Sequence, residues 1–280
     1  MFQSTLFFDT NGRVTSALAR LLELFGVGHD GTLKGVRDAT QAAWFQAGKL
    51  RAEIAEKHGD KKNAALPLFA ALGMIDAVRV PPTDYLYALV LGGTVVAVRK
   101  RLSFLLDALV NSATCGTVVL LGSERPLLAE KESPEVLLKW DNDEFPFPEE
   151  WHPRRELPTT EAGMMELVYD QVSHLFLQQG CKVQCVNSRK REGRNPTTRD
   201  TVVDWLNLDA DMLKPEPIPG LCLAVSSQPF VGYQELVLRR VLPDNFGLTC
   251  VGYTAPSLPV TTYLDNVAKL IFEFAEIEGV

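Results

Sequence analysis

Five short apolar runs recur between residues 85 and 253: YLYALVL (85–91), TVVLLGS (117–123), KVQCVN (182–187), LCLAVSS (221–227) and LTCVGY (248–253). Their near-continuous apolar character, rich in Val and Leu, is that of strands buried on both faces, as in a parallel sheet. Between them, amphipathic segments at 94–111, 160–178, 197–212 and 232–241 predict helices, and a last one at 261–278 carries Leu264, Val267, Ile271 and Phe274 on one stripe. Thr94, Thr160 and Thr197 open three of these segments, where a hydroxyl can accept a bond from an otherwise unpaired first-turn amide. Strand alternating with helix implies right-handed crossovers and a doubly wound, mostly parallel five-stranded α/β sheet.

The chain before this alternation reads differently. Leu18, Leu21, Leu22 and Phe25 fall at helical spacing, and a long segment from Thr32 to Lys57 repeats Val36, Ala39, Ala43, Leu50 and Ile54 until HGDKKN interrupts it. A further helix is expected over 64–77, and Pro81 and Pro82 then disfavour helix at and before their own positions. This predicts an N-terminal helical extension over 1–83 followed by an α/β domain over 84–280. One insertion, from about Glu124 to Pro158, breaks the alternation; it is acidic and proline-rich and carries Trp140, Phe145, Phe147 and Trp151. Stretches of this length act as lids or binding elements, or pack their aromatics across a helical segment, and both readings stay open.

Charge and cysteine usage narrow the partners. A net charge of -7 opposes long-range attraction to nucleic acid or to an anionic membrane, so neither is expected as a partner. Five cysteines, most of them inside apolar runs, suit small buried hydrophobes in a reducing compartment and point to a cytoplasmic location. The first residues lack the pattern of an export signal, and no apolar stretch approaches the roughly 18 residues of a membrane span. Cys181 and Cys185 have no second pair or histidine to complete a zinc set, His29, His58, His152 and His174 are scattered, and no G-x-S-x-G elbow occurs. No metal is expected.

In open α/β sheets, ligands bind beyond the carboxyl ends of the strands, which directs attention to Gly92 and Gly93, to Gly122 and Ser123, to the segment after Asn187, and to Ser226 and the residues up to Phe230. Gly92 and Gly93 stand between strand and helix as a phosphate-cradling turn does, with Arg99 and Arg101 further along; the alternative is a tight turn needing glycine for steric reasons. Ser123 ends the second run. The segment from Asn187 to Thr201 concentrates Arg189, Lys190, Arg191, Arg194 and Arg199 ahead of a Thr-capped helix, either as an anion site or as a solvated loop. Glu161 lies in a first helical turn, where a carboxylate is favoured by the dipole whatever its function.

The order LVLGG, TTEAGMM, GRNPTTRDT and LCLAVSSQPFVGYQELVLRR resembles the YdcF-like family, which includes the SanA and ElyC envelope proteins. Gly92, Gly93 and either Arg99 or Arg101 match its first element, Thr160, Glu161 and Ala162 its second, and Thr198 and Asp200 its third. Thr197 and Thr201 stand where the family has Asn, and Phe230 and Tyr233 replace its His and Arg, so chemistry needing that pair is not expected. The resemblance spans about 85–253 and implies a Rossmann-like fold with a pocket at the strand ends, for a nucleoside-containing ligand such as S-adenosylmethionine. It leads to the expectation of a protein binding a small anionic or nucleoside-containing metabolite. In that reading Gly92, Gly93, Arg99, Arg101, Ser123, Thr160, Arg194, Thr197, Thr198, Arg199, Ser227 and Gln228 hold the ligand, and Glu161 or Asp200 serves as general base for hydrolysis or group transfer. The competing reading is an interaction or scaffold protein whose pocket has decayed.

Overall fold

A computed structural model describes residues 4–48, 53–139, 145, 147–148, 150–208, 217–254 and 258–280. The chain forms two compact units, one taking in the N-terminal stretch to Val78, Ser227–Arg240 and the chain from Thr254 on, the other Arg79–Ser226 and Val241–Tyr253. The units therefore do not follow a single cut near residue 83, because two late helices cluster with the N-terminal ones.

In the first unit, α1 (Ser16–Leu24), α2 (Leu33–Trp44), α3 (Lys62–Ala71), α8 (Val231–Arg239) and α9 (Val260–Glu278) enclose a core of Leu18, Leu21, Leu22, Val36, Phe69, Leu264, Val267 and Ile271. Phe69 stacks on Tyr263 with ring centroids 4.7 Å apart. The expected long helix from Thr32 ends at Trp44, and its position Leu50 lies outside the described residues. Pro259, which has no hydroxyl to offer, occupies the N-cap of α9. Glu56 supplies the missing acceptor, taking the amide of Val260 at 2.6 Å and the hydroxyl of Thr261 at 3.1 Å.

The second unit is built on a sheet of β1 (Asp84–Leu91), β2 (Thr114–Ser123), β3 (Lys182–Ser188), β4 (Leu221–Ser227) and β5 (Gly247–Tyr253), in the order β3-β2-β1-β4-β5 and all parallel. All five expected strands form. α4 (Val95–Asn111) packs on β1 and β5, and α6 (Glu161–Gln178) packs on β2 and β3 while touching α4. α7 (Thr198–Leu206) also lies on β2 and β3 and so takes the face opposite α6; both sheet faces are covered, which is why the strands read as unbroken apolar runs. β1 leads out toward β2 and β4 toward β5, so the chain leaves in opposite directions between β1 and β4, where a doubly wound sheet opens its crevice. The segment expected as one helix over 197–212 ends at Leu206, and residues 209–216 lie outside the described ones.

The insertion is fastened down. It holds a short α5 (Pro134–Leu138), and Arg99 of α4 donates to the carbonyls of Val136, Leu137 and Lys139 and to Gln171 Oε1 of α6. The same guanidinium lies 5.6 Å from the ring centroids of both Phe145 and Phe147, which are buried. Of the expected aromatics, Trp151 meets Phe147 edge-on, and Trp140 lies outside the described residues.

Candidate functional site

The carboxyl ends of β1 and β2 bring together Gly92, Gly93, Ser123 and Glu161. Neither glycine has a positive φ; each lies in close approach to its neighbours instead. A Cβ on Gly92 would stand 2.9 Å from Glu161 Oε1, and one on Gly93 would stand 3.0 Å from Arg101 Nη1. Gly122 is the position where a side chain is excluded, since its Cβ would fall 2.6 Å from the backbone Cα of Ala162 in the first turn of α6. The glycines thus let α6 place its leading carboxylate beneath the turn.

Glu161 is buried, and its Oε2 accepts the Ser123 hydroxyl at 2.6 Å. Its Oε1 lies 3.4 Å from Arg125 Nε. Burial pushes its carboxyl above the ordinary value, against the opposing pull of the Arg125 charge and the Ser123 hydroxyl. Thr160 caps the same helix through Gly163 N at 3.4 Å.

The arginines have other partners. Arg101 does reach back to the glycine turn, but its Nη1 donates to the carbonyls of Leu91 and Gly92, both at 2.6 Å. Arg99 points away from the turn and holds the insertion, so its expected role on an anion at the turn is replaced by one on backbone carbonyls. At the N-terminus of α4, Thr94 makes no capping bond through its side chain.

At α7 the anion is internal. Asp200 Oδ2 accepts the amide of Thr197 at 2.7 Å and its hydroxyl at 2.8 Å, while Thr197 Oγ1 accepts the Asp200 amide, a reciprocal capping box. Arg194 grips the two Asp200 oxygens at 2.7 and 3.1 Å, and Arg191 pairs with Asp200 and Asp204. Burial opposes ionisation, yet Arg194 and Thr197 hold the Asp200 carboxyl well below the usual carboxylate range, which makes it a weak base. The helix start expected to cradle a ligand through Thr198 is closed by its own residues. Thr198 gives its carbonyl to Thr201, and Arg199 follows it, half-buried, on α7. Ser227 and Gln228 belong to the first unit, where the Gln228 amide donates to the carbonyls of Gly73 and Asp76.

Two participants were not singled out in the sequence. Arg125 and Glu132 sit in the insertion, where no periodicity marks them. Ser188, in the segment after Asn187, ends β3, and Ser226, also among the strand-end places, is the last residue but one of β4; strand register puts both on the same sheet face as Ser123. Both are buried, and their hydroxyls have no hydrogen-bond partner among the described residues. An unmet buried hydroxyl costs roughly 1–3 kcal/mol, so such groups point to a missing polar partner. Among the described residues no group of three or more His, Cys, Asp or Glu could hold a metal ion, and no helix is long and apolar enough to cross a membrane.

Fold and site together define a Rossmann-like α/β protein with a buried carboxylate at the sheet's carboxyl edge. Comparison of the chain with models of known protein families, with curated proteins and with solved structures gives no match.

Proposed function

We propose that the protein binds a small nucleoside-containing metabolite at the carboxyl edge of β1 and β2, with Glu161 as the group that takes a hydrogen bond or a proton from it. The observation that carries this reading is the buried Glu161 carboxyl, raised by its surroundings and set on Ser123 beneath the Gly92–Gly93 turn. Its acceptor oxygens, with the unmet hydroxyls of Ser188 and Ser226, suit the hydroxyl and amino groups of a nucleoside. An anionic part of the ligand would find the first-turn amides of α4, which no Thr94 hydroxyl occupies. The arginines support a phosphate-rich ligand less, because Arg99, Arg101, Arg125 and Arg194 each already hold an acceptor of the chain. This agrees with the likeness to the YdcF-like family, and S-adenosylmethionine is of the right class. Any turnover would be hydrolysis or group transfer using Glu161, with Asp200 confined to capping.

A second reading, an interaction protein with a decayed pocket, is favoured by the same internal engagement of the arginines. A thermal-shift screen against S-adenosylmethionine, nucleosides, nucleotides and sugar phosphates separates the two. The proposal expects the melting temperature to rise with ligand concentration, and the rise to vanish in Glu161→Ala. A flat response to every compound rejects it in favour of the interaction protein.

A further inference from the structure

The stretch after β2 holds one buried arginine between two buried carboxylates. Arg125 grips Glu132 with two parallel bonds, Nη1 to Oε2 at 3.0 Å and Nη2 to Oε1 at 3.1 Å, and Glu132 Oε2 also takes the Leu128 amide at 2.7 Å. From the same position Arg125 Nε lies 3.4 Å from Glu161 Oε1, and Nη2 donates to the carbonyl of Gly93 at 3.1 Å. Side-chain exposure is 10% for Arg125, 0% for Glu132 and 11% for Glu161, so water screens little of this. Among the described residues, Arg101 of α4 is a further cation near Glu161, and it donates to the carbonyls of Leu91 and Gly92. Ser123 of β2 also faces Glu161, its hydroxyl on Oε2.

A single positive charge thus serves two acids, and its better geometry is with Glu132. We propose that Arg125 is a positioning residue for Glu161 and that Glu132 competes for it, so the Arg125–Glu132 pairing governs whether Glu161 carries its proton. With Glu132 seated, Arg125 is divided and Glu161 keeps its proton to higher pH; with Glu132 withdrawn, the whole guanidinium turns to Glu161 and favours the anion. This rests on the reading of Glu161 as the acid or base of the site and adds its regulation.

The test is the titration of Glu161 in the unliganded full chain, followed by carboxyl 13C NMR of glutamate-labelled protein and assigned by the signal lost in Glu161→Gln. Arg125→Gln is expected to shift the midpoint upward and Glu132→Gln to shift it downward. Simple loosening of the site would admit water and lower the midpoint in both variants, so a downward shift in Arg125→Gln overturns the proposal, as does an unmoved midpoint in Glu132→Gln. Should Arg125→Gln fail to fold, Arg125→Lys, which keeps the charge but loses the fork, takes its place: an upward shift, smaller than that expected of Arg125→Gln, supports the proposal, and a downward one overturns it. Because no ligand is present, a negative titration leaves the thermal-shift result standing, and a negative screen leaves the titration standing.

Discussion

At the scale of single residues, the site is governed by what glycine leaves out. Gly122→Ala would drive a methyl into the backbone of α6 and is expected to lower stability by about 1–3 kcal/mol, as overpacking does. Gly28→Ala, where nothing lies within 4 Å of the added carbon, is the control and is expected to be neutral or slightly stabilising. Urea unfolding of the two variants measures the difference. Gly92 stood out in the sequence because a glycine pair after a strand is a local pattern, whereas an acid after a Thr cap reads as simple capping, and Glu161 was drawn into the site through the family resemblance. Arg125 and Glu132 were not legible, since the pairing of an arginine with an acid seven residues on in an irregular segment depends on a path that no period encodes.

At the scale of elements, two helix starts are closed by carboxylates. Asp200 has a depressed folded value, so its contribution is present above the unfolded value of about 3.9 and is lost as pH falls below it toward the folded one. The stability gap between the wild type and Asp200→Asn, read from urea midpoints, is therefore expected to be largest near neutrality and to shrink below about pH 4. At α9, where proline cannot cap, Glu56→Ala is expected to cost about 0.5–2 kcal/mol, and thermal denaturation checks it. The insertion depends on Arg99 for three carbonyls, and Arg99→Ala is expected to expose residues 124–158 to limited proteolysis before the rest of the chain is cut.

For the molecule as a whole, the sheet was the most legible feature. Strands covered on both faces must be apolar at every position, and that produces runs visible without any neighbour. The grouping of α8 and α9 with the N-terminal helices was hidden, because an apolar stripe on α9 says that it is buried but not against what. Burial also protects the thiols. Cys222 is pushed up to about 12 by desolvation, Cys115 is raised by its neighbour Cys181 and by burial, and all five cysteines are free. Cys115 and Cys222 are therefore expected to react with a disulfide reagent at pH 8 only after denaturant is added, as a reaction time course would show. A fast reaction of either in the native protein would contradict this burial.

The return of Arg101 onto the last carbonyls of β1 carries one more consequence. Strand, turn and helix are closed into a ring about ten residues around, so the backbone at Gly92 and Gly93 is already held in place. A guest arriving there would not have to freeze a floppy segment, and the entropy normally surrendered when a loop wraps its ligand would stay out of the affinity.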